Sequence, residues 1–440
     1  MCLVRRLFVT FCILLVTLIS LTGQTELRFE NYYIEDGLPH SRAREVFQDS
    51  VGWIWIATGG GLSRFDGTTF KNYQLCSTSD VAAISSILCF WEDADSRLWI
   101  GTEGDGLVLY DRTMDRFEHF THSDSSTNCL SSNQVNSIIS DSAGIMWIGT
   151  TRGLNRFDPD TRSFQWMRHQ EFDEGSISCD TVNKLFFDRD HRLWIGTGEG
   201  LDYRDPESGQ FTHVDIFAHS QLDPVPGRII QDVSQDQQGN ILVGTYYSGL
   251  FVLDTSLAKI VNILPDPDYL RSHLIRSVYP DQNGDLWLGT RGGIYILDTN
   301  YQVISHYKKS LQNQSSLGHN SVSDIFKDRS GGMWIATRSG ISYANLRSMA
   351  FKYYGARSGD NNYLNDPEVY SIYQSRDGRI WLGTEAGGIN ILDKQRERFS
   401  YLLHDENNPN TISSNSVKAI MQDREGNIWI GYFLGGLDHY

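Results

Sequence analysis

Apolar residues along this chain fall into short runs that repeat in groups of four. In the third group the first run begins at Val135 and ends at the turn 141–144, which closes on a glycine. The second run covers 145–150, the third 154–157 and the fourth 164–167. Short runs bounded by turn residues are typical of antiparallel strands. The pattern therefore predicts one four-stranded antiparallel sheet per group and an all-β fold.

The phrase Trp-Ile-Gly-Thr, or a close variant, marks the second run and recurs nine times, with successive copies 44 to 48 residues apart. The position is occupied by Trp55, Trp99, Trp147, Trp194, Trp287, Trp334, Trp381 and Trp429, with Leu242 in the fifth copy. A period in the forties with four strands per unit is typical of a β-propeller. We interpret the repeated tryptophans as structural, because a large ring at one register packs well between adjacent blades.

The repeat count predicts a seven-bladed β-propeller over residues 27–346. We expect a partial second propeller, its first two blades, over 349–440. A single nine-bladed ring is the alternative, although propellers usually have four to eight blades. Since two blades cannot close a ring, we expect that the natural chain continues or that the gene product is truncated.

Two similar segments, 27–33 (LRFENYY) and 349–354 (MAFKYY), resemble the outer strand of a blade. The first has no blade before it. We therefore expect 28–32 to complete the blade whose inner strands lie around 322–343, and 351–354 to close a second ring. Closure of this kind removes exposed sheet edges.

The N-terminus has the composition of an export signal. Arg5 and Arg6 precede the mostly apolar, uncharged run 7–22, and Gly23 supplies a small residue before polar Gln24. This pattern predicts a secretory signal peptide at 1–23 and a periplasmic mature chain, with an uncleaved anchor as the alternative. No second apolar stretch of membrane-spanning length follows in the sequence.

The net charge and the spacing of the cysteines argue against several classes of function. The 440 residues carry a formal net charge of -16, which argues against binding to nucleic acid or to an anionic membrane. Cys76, Cys89, Cys129 and Cys179 lack C-x-x-C spacing, so zinc and redox chemistry are unsupported. One disulfide after export is an alternative to buried thiols. We predict no metal and no cofactor.

The repeat closely resembles the two-component regulator propeller repeat. The resemblance rests on the text of 281–294, on the phrase Glu-Asp-Gly-Leu-Pro at 35–39, and on a recurring Leu-x-x-Asn-x-Val element at 130–135 and 317–322, with Ile at 412–417. It covers essentially all of 27–440.

The resemblance implies the periplasmic sensor region of a hybrid two-component system, mostly of Bacteroidetes-type bacteria. Such arrays commonly have two seven-bladed propellers, an immunoglobulin-like module, a membrane helix and a cytoplasmic histidine kinase. The implied ligands are oligosaccharides, and the implied output is transcription of glycan-use genes. The present sequence ends before any later module, so a parent anchored in the inner membrane would carry the kinase.

Acidic residues are numerous, but most of the aspartates recur at the same turn of each repeat. The recurring positions are Asp49, Asp93, Asp141, Asp188, Asp236, Asp281, Asp328 and Asp423. A residue repeated around a ring is more often structural than catalytic. The segment 281–285 also lacks the bidentate Glu of a calcium loop. We therefore predict no catalytic residue in this chain.

Candidate ligand contacts come from residues that differ between repeats. We expect the hairpins between second and third strands, and the links into first strands, to lie on one face of the ring. The candidates there are Tyr246, Tyr247, Arg152, Arg291, Arg338, Glu103, Asp105 and His40. Tyrosine rings stack on sugars, while Arg and carboxylate groups bind sugar hydroxyls or acidic substituents. Ordinary solvated hairpin tips are the alternative.

The leading hypothesis is a non-enzymatic, periplasmic propeller that senses an oligosaccharide and shifts the orientation of paired subunits, as in a homodimer. A secreted carbohydrate-active lyase or hydrolase is the second hypothesis. A scaffold that binds another protein through the same face is the third.

Overall fold

The computed structural model describes residues 27–73, 86–222, 224–254, 256–266, 273–346, 354–356, 363–393 and 398–440. The predicted signal peptide at 1–23, Cys76 and most of the predicted closing strand 351–354 lie outside these residues. The chain divides into two compact units, residues 1–349 and 350–440.

The first unit contains seven four-stranded antiparallel sheets, numbered here by chain order. Sheet 1 is formed by β2 (Ala43–Gln48), β3 (Ile54–Thr58), β4 (Gly61–Phe65) and β5 (Phe70–Tyr73). Sheet 2 is formed by β6 (Ile87–Glu92), β7 (Leu98–Thr102), β8 (Leu107–Asp111) and β9 (Arg116–Phe120). Sheet 3 is formed by β10 (Val135–Ser140), β11 (Met146–Thr150), β12 (Gly153–Asp158) and β13 (Ser163–Met167). Sheet 4 is formed by β14 (Val182–Phe187), β15 (Leu193–Thr197), β16 (Leu201–Arg204) and β17 (Phe211–Val214). Sheet 5 is formed by β18 (Ile230–Gln235), β19 (Ile241–Thr245), β20 (Leu250–Leu253) and β21 (Ile260–Ile263). Sheet 6 is formed by β22 (Ile275–Pro280), β23 (Leu286–Thr290), β24 (Gly293–Leu297) and β25 (Val303–Tyr307). Sheet 7 combines β26 (Val322–Lys327), β27 (Gly332–Thr337) and β28 (Gly340–Asn345) with β1 (Glu30–Tyr32). Two short 3-10 helices cover Ile34–Asp36 and Ile216–His219.

The first strands of these seven sheets line the centre of the unit. Each contacts the first strand of the next sheet, in the order β2, β6, β10, β14, β18, β22 and β26, and β26 contacts β2 again. This closed cycle is the arrangement of blades in a β-propeller. It encloses a central region lined by the side chains of the first strands, which we call the channel.

Strand β1 joins the start of the described chain to the last sheet of the unit. It pairs antiparallel with β28, with Asn31 opposite Ser342. The Ser342 hydroxyl donates to Oδ1 of Asn31 at 2.6 Å, and Nδ2 of Asn31 donates to the carbonyl of Ser316 at 3.0 Å. Phe29 is buried in the core cluster of this sheet. The predicted pairing of 28–32 with the blade around 322–343 is confirmed.

Tryptophan and aspartate form a recurring pair inside the blades. In sheet 1, Oδ1 of Asp49 accepts the backbone N–H of Trp53 at 2.9 Å, and Oδ2 accepts Nε1–H of Trp55 at 2.8 Å. Trp55 is fully buried and contacts Tyr110 of sheet 2, with ring centroids 5.1 Å apart. The carboxylate therefore shapes the turn and fixes the indole, which supports the structural interpretation of both residues.

A glycine two residues after the repeated tryptophan position permits close approach of the next blade, although sheets 1 and 7 have Ala57 and Ala336 there. A Cβ on Gly149 of sheet 3 would lie 2.6 Å from Cγ1 of Val182 in sheet 4. Any larger residue would force the two sheets apart.

The second unit has two sheets. Sheet 8 is formed by β29 (Val369–Gln374), β30 (Ile380–Thr384), β31 (Ile389–Asp393) and β32 (Arg398–Leu402), and sheet 9 by β33 (Val417–Gln422), β34 (Ile428–Tyr432) and β35 (Leu437–His439). Ile372 of sheet 8 is 71% exposed, whereas Val46 at the same register of sheet 1 is 2% exposed. Leu437 of sheet 9 is 64% exposed, whereas Leu107 of sheet 2 is fully buried. Two blade faces of this unit are thus open to solvent among the described residues.

Candidate functional site

The hairpins between second and third strands lie beside the links that enter the first strands. The backbone N–H of Glu103 donates to the carbonyl of Ser86 at 2.9 Å, and that of Arg338 donates to Ser321 at 3.0 Å. Tyr246 and Arg291 make the equivalent bonds to the links of sheets 5 and 6, at 3.0 and 3.3 Å. The prediction that hairpins and links share one face is confirmed. We call it the hairpin face.

A β-bulge at the start of each first strand turns extra side chains towards the channel. The pairing register shifts between Ala43 and Glu45 in sheet 1 and between Ile275 and Ser277 in sheet 6. A bulge opposes two residues to one on the partner strand and re-aims their side chains. Arg44 and Arg276 occupy the bulged positions, at the end of the channel nearest the hairpin face.

Four arginines come together at this mouth of the channel, and we call them the basic arc: Arg42, Arg44, Arg276 and Arg291. Arg42 and Arg276 act electrostatically on Arg44, and Arg291 and Arg42 act on Arg276. They belong to sheets 1 and 6, on either side of sheet 7 in the closed cycle. Nη1 of Arg276 donates to Oγ of Ser321 at 3.1 Å, in the link that enters sheet 7.

The positive charge of the basic arc is only partly balanced. Nη2 of Arg44 lies 2.9 Å from Oε2 of Glu103, and no other member has an ion pair among the described residues. Desolvation, followed by the like charge of Arg42, lowers the pKa of Arg44, while Glu103 opposes this shift. Desolvation and the charge of Arg291 lower the pKa of Arg276 in the same way. The arc therefore holds like charges close together, three of them on half-buried side chains, and an anion would stabilise them.

Two tyrosines adjoin the basic arc. The rings of Tyr246 and Tyr247 meet edge to face with centroids 4.6 Å apart, and the guanidinium of Arg291 lies 5.9 Å from the centre of the Tyr246 ring. Tyr247 is 39% exposed. A Cβ on Gly227 would lie 2.8 Å from its Cδ2, so the neighbouring link passes close against the ring. An aromatic surface and a cationic one thus lie side by side.

The other predicted residues have different surroundings. Arg152 is exposed on the hairpin of sheet 3, and no described contact joins its side chain to the basic arc. Arg338 is exposed, and its charge acts on His319. Nδ1 of His40 accepts the backbone N–H of Arg42 at 2.9 Å, so this ring supports the link into sheet 1. Oδ2 of Asp105, in the hairpin that carries Glu103, is buried and has no hydrogen-bond partner among the described residues.

Sequence reasoning missed Arg42, Arg44 and Arg276. Arg44 and Arg276 lie at the start of first strands, where the apolar residues define the strand, and Arg42 lies in the link just before one. The available signal was a polar residue directly after the first apolar residue of the run, at Arg44, Asn136, Asn183, Gln231, Arg276 and Ser323.

A second layer of charged groups lines the channel below the arc. It contains Glu45, Lys184, Asp232 and Asp324, and Nζ of Lys184 lies 3.0 Å from Oδ1 of Asp232. Asp324 accepts the backbone N–H of Val46 at 3.0 Å. Desolvation and the neighbouring Asp324 raise the pKa of Glu45 to about 8. These carboxylates do not form a metal-binding group within the described residues.

Two wide grooves lie elsewhere in the first unit. One, of about 700 Å³, is lined by residues such as Arg97, Arg112 and Arg162, and the other, of about 780 Å³, by residues such as Asn240 and Tyr301. Neither includes a residue of the basic arc or either hairpin tyrosine. Among the described residues, no helix has the length and apolar character needed to cross a membrane.

The fold and the nine repeated sheets define the class of β-propeller proteins, and the predicted all-β fold is confirmed. Six segments match the family model described as two component regulator propeller, at residues 129–152, 176–199, 269–292, 316–339, 363–386 and 411–433. These six segments are therefore two component regulator propeller repeats, which confirms the resemblance of the repeat stated from the sequence.

Among curated proteins, the chain is 40% identical over 57 residues to histidine kinase P4 of Formosa agariphila, a match that covers 13% of this chain and 4% of the kinase. Among solved structures, it is similar to the extracellular domain of the putative hybrid two component system BT3049 from B. thetaiotaomicron, with 24% identity, a TM-score of 0.70, and coverage of 94% of this chain and 53% of that one. The corresponding domain of BT4673 has 22% identity, a TM-score of 0.62, and coverage of 94% and 58%.

A streptogramin B lyase has the same kind of fold, with 12% identity, a TM-score of 0.54, and coverage of 73% of this chain and 97% of that one. These structural likenesses concern the fold. The chain spans about half the length of the two extracellular domains.

Proposed function

We propose that this chain is the periplasmic ligand-sensing region of a hybrid two-component sensor, that it binds an oligosaccharide at the hairpin face, and that it has no enzymatic activity of its own. One observation carries the proposal: Tyr246 and Tyr247 lie beside the basic arc at the mouth of the channel. The propeller repeats, and the extracellular two-component domains that share the fold, support the sensor role.

The chemistry of the mouth suits a sugar. A tyrosine ring offers a flat apolar surface to the C–H groups of a pyranose, and its hydroxyl serves as a polar handle. Guanidinium groups donate several hydrogen bonds in a fixed plane, which matches the spacing of neighbouring sugar oxygens. First strands hold Arg44 and Arg276, and short hairpins between paired strands hold the two tyrosines and Arg291, so little ordering is needed when the ligand binds.

In this proposal the predicted seven-bladed ring, residues 27–346, is the binding unit, and the predicted partial ring, 349–440, connects it to later parts of a longer parent. The signal peptide at 1–23 delivers the chain to the periplasm. Binding changes the relative orientation of two paired sensor subunits. The parent's kinase, across the inner membrane, then alters transcription of glycan-use genes.

Calorimetric titration with a panel of neutral and acidic oligosaccharides tests the proposal. We expect saturable binding of one glycan class and a loss of affinity of about tenfold or more in Tyr246→Ala/Tyr247→Ala, because stacked aromatic area is removed. Tyr370→Ala, at a tyrosine that is 52% exposed in the second unit, is the matched control and should bind as wild type does. Absence of binding across the panel would contradict the proposal.

A second candidate function is a carbohydrate-active lyase or hydrolase, which the fold likeness to a streptogramin B lyase keeps open. The same mixtures, analysed by mass spectrometry after prolonged incubation, separate the two functions. Intact ligand supports a sensor. Products whose formation requires Glu103 or Asp105 would support an enzyme, and capture of a protein through the hairpin face without glycan binding would support a scaffold.

A further inference from the structure

We infer that the ligand of the hairpin face is an acidic oligosaccharide, whose carboxylate or sulfate group is bound by the basic arc while its sugar ring lies against Tyr246 and Tyr247. This inference rests on the proposed function and specifies the ligand of the same site. The shared chemistry is a planar or tetrahedral oxyanion attached to a pyranose.

The distribution of charge is the first argument. The chain carries a formal net charge of -16, yet Arg42, Arg44, Arg276 and Arg291 are gathered at one end of the channel. Glu103 pairs with Arg44 and so balances one of the four positive charges. Arginines held close together repel one another, and an anion placed among them would remove that repulsion.

Unsatisfied polar atoms are the second argument. Nε of Arg44 and Oγ of Ser86 are buried, and neither has a hydrogen-bond partner among the described residues. Ser86 is nine-tenths buried and lies in the link bonded to the backbone of Glu103, the ion-pair partner of Arg44. A buried donor without a partner lowers the stability of the fold unless a ligand or a water molecule accepts its hydrogen bond. An oxyanion accepts hydrogen bonds from both a guanidinium and a hydroxyl.

The pairing of charges deeper in the channel is the third argument. Below the basic arc, Lys184 is the cation of the second layer, and it is already paired with Asp232. Burial raises the pKa of Glu45 to about 8 and also raises the pKa of Asp324, so the second layer offers an anion no unpaired positive charge among the described residues. An acidic group is therefore expected to bind at the mouth, beside the basic arc.

The position of the tyrosines is the fourth argument. The guanidinium of Arg291 lies over the ring of Tyr246, so a sugar stacked beside that ring would present a substituent to the arginine. In a uronic acid or a sulfated sugar, the anionic group and the apolar ring face belong to one residue. In this site the arginine and the tyrosine ring are likewise adjacent, so one sugar residue can contact both.

Calorimetry with two matched ligand pairs tests the inference. One pair is a trigalacturonate and its neutral methyl ester, and the other is a sulfated galactan tetrasaccharide and its desulfated form. We expect at least one acidic member to bind about tenfold or more tightly than its neutral counterpart, as a charge-assisted hydrogen bond implies. The pair that responds distinguishes a carboxylate from a sulfate.

The variants Arg276→Gln and Arg291→Gln should each reduce this preference by about tenfold, because each removes a charge and keeps part of the hydrogen bonding. Arg116→Gln makes the same charge change on a solvated strand, where the side chain is 71% exposed, and should leave the preference unchanged. Thermal melting verifies that each variant is folded. If Arg276→Gln fails to fold, Arg291→Gln and the loss of wild-type affinity with rising salt provide the same test.

The outcomes separate this inference from the proposed function. Equal binding of acidic and neutral members, unchanged in both variants, would overturn the inference and leave an oligosaccharide sensor. Binding confined to neutral glycans of the wider panel would do the same. Binding of inorganic sulfate alone, with no acidic glycan bound, would overturn an acidic-sugar ligand. Failure of every glycan would overturn both proposals.

Discussion

The hydroxyl of Tyr301 donates a hydrogen bond of 2.6 Å to Oδ2 of Asp236, from sheet 6 to the turn of sheet 5. Sheet 5 is the copy in which Leu242 replaces the repeated tryptophan, and Tyr301 packs against the core cluster that contains Leu242. In sheet 1 the same aspartate oxygen accepts the indole N–H of Trp55. A tyrosine from the neighbouring blade thus supplies the donor that the missing indole would have supplied.

Removing this donor should weaken the junction of sheets 5 and 6. We expect Tyr301→Phe to lower the free energy of unfolding by about 1–2 kcal/mol, since a buried carboxylate loses a hydrogen bond. Urea titration followed by tryptophan fluorescence measures the change. Tyr203→Phe, at a half-buried tyrosine whose hydroxyl makes no described hydrogen bond, is the control. Equal stability of the two variants would contradict the role of Tyr301.

Phe29 fixes the strand that completes sheet 7. Because its ring is buried among core residues of that sheet, we expect Phe29→Ala to cost about 3–5 kcal/mol and to release β1 from β28. Hydrogen exchange should show faster exchange in β28, since its outer edge loses a pairing strand. Val51→Ala, at a site that is 64% exposed, should change neither quantity. Unchanged protection of β28 would count against closure through this strand.

Glu45 makes stability depend on pH in an unusual direction. Its folded pKa of about 8 lies above the ordinary value of 4.5, so the folded state binds this proton more tightly than the unfolded state does. Stability from this group is complete below pH 4.5 and is lost as the pH rises towards 8. The loss has an upper bound of about 1.4 kcal/mol per pH unit.

Unfolding free energies of Glu45→Gln, measured from pH 5 to pH 8, should lack this decline, because the amide stays neutral. Glu35→Gln, at an exposed glutamate, is the matched control and should keep the wild-type slope. A wild-type slope in Glu45→Gln would show that another group is responsible.

The open blade faces of the second unit should affect association in solution. We expect Ile372→Ser/Leu437→Ser to reduce self-association of this chain without lowering stability, since both side chains are already exposed. Sedimentation velocity at several concentrations measures the effect. Leu107→Ser, at the buried register equivalent of Leu437, should instead cost more than about 2 kcal/mol. Unchanged association of the double variant would exclude these faces as the contact.

The sequence predicted features that are local and repeated. The sheets and the buried tryptophans follow from the alternation of apolar residues and from turn chemistry that recurs in every copy. Even the long-range pairing of β1 was predictable, because two similar outer-strand segments bracket one set of repeats.

The basic arc was not predictable in the same way. A regular strand places successive side chains on opposite sides, so Arg44 and Glu45 would not both be expected to face the channel. The bulge between Ala43 and Glu45 permits this arrangement, and the alternation of apolar residues does not reveal it. Arg42 and Arg276 come close only because the cycle of sheets places sheets 1 and 6 on either side of sheet 7. Spatial proximity across a closed ring leaves no trace in local spacing.

The contact between Asn31 and Ser342 joins residues 311 positions apart, so β1 is synthesised long before the strand with which it pairs. At a ribosomal rate of roughly 5–20 residues per second, the outermost strand of sheet 7 exists for about 15–60 s before its partner has been made. Throughout that interval β1 has hydrogen-bonding groups and the Phe29 ring without native partners. The nascent chain therefore needs protection for longest at β1, and the row of blades becomes a ring only when β28, the last strand of the first unit, has been made.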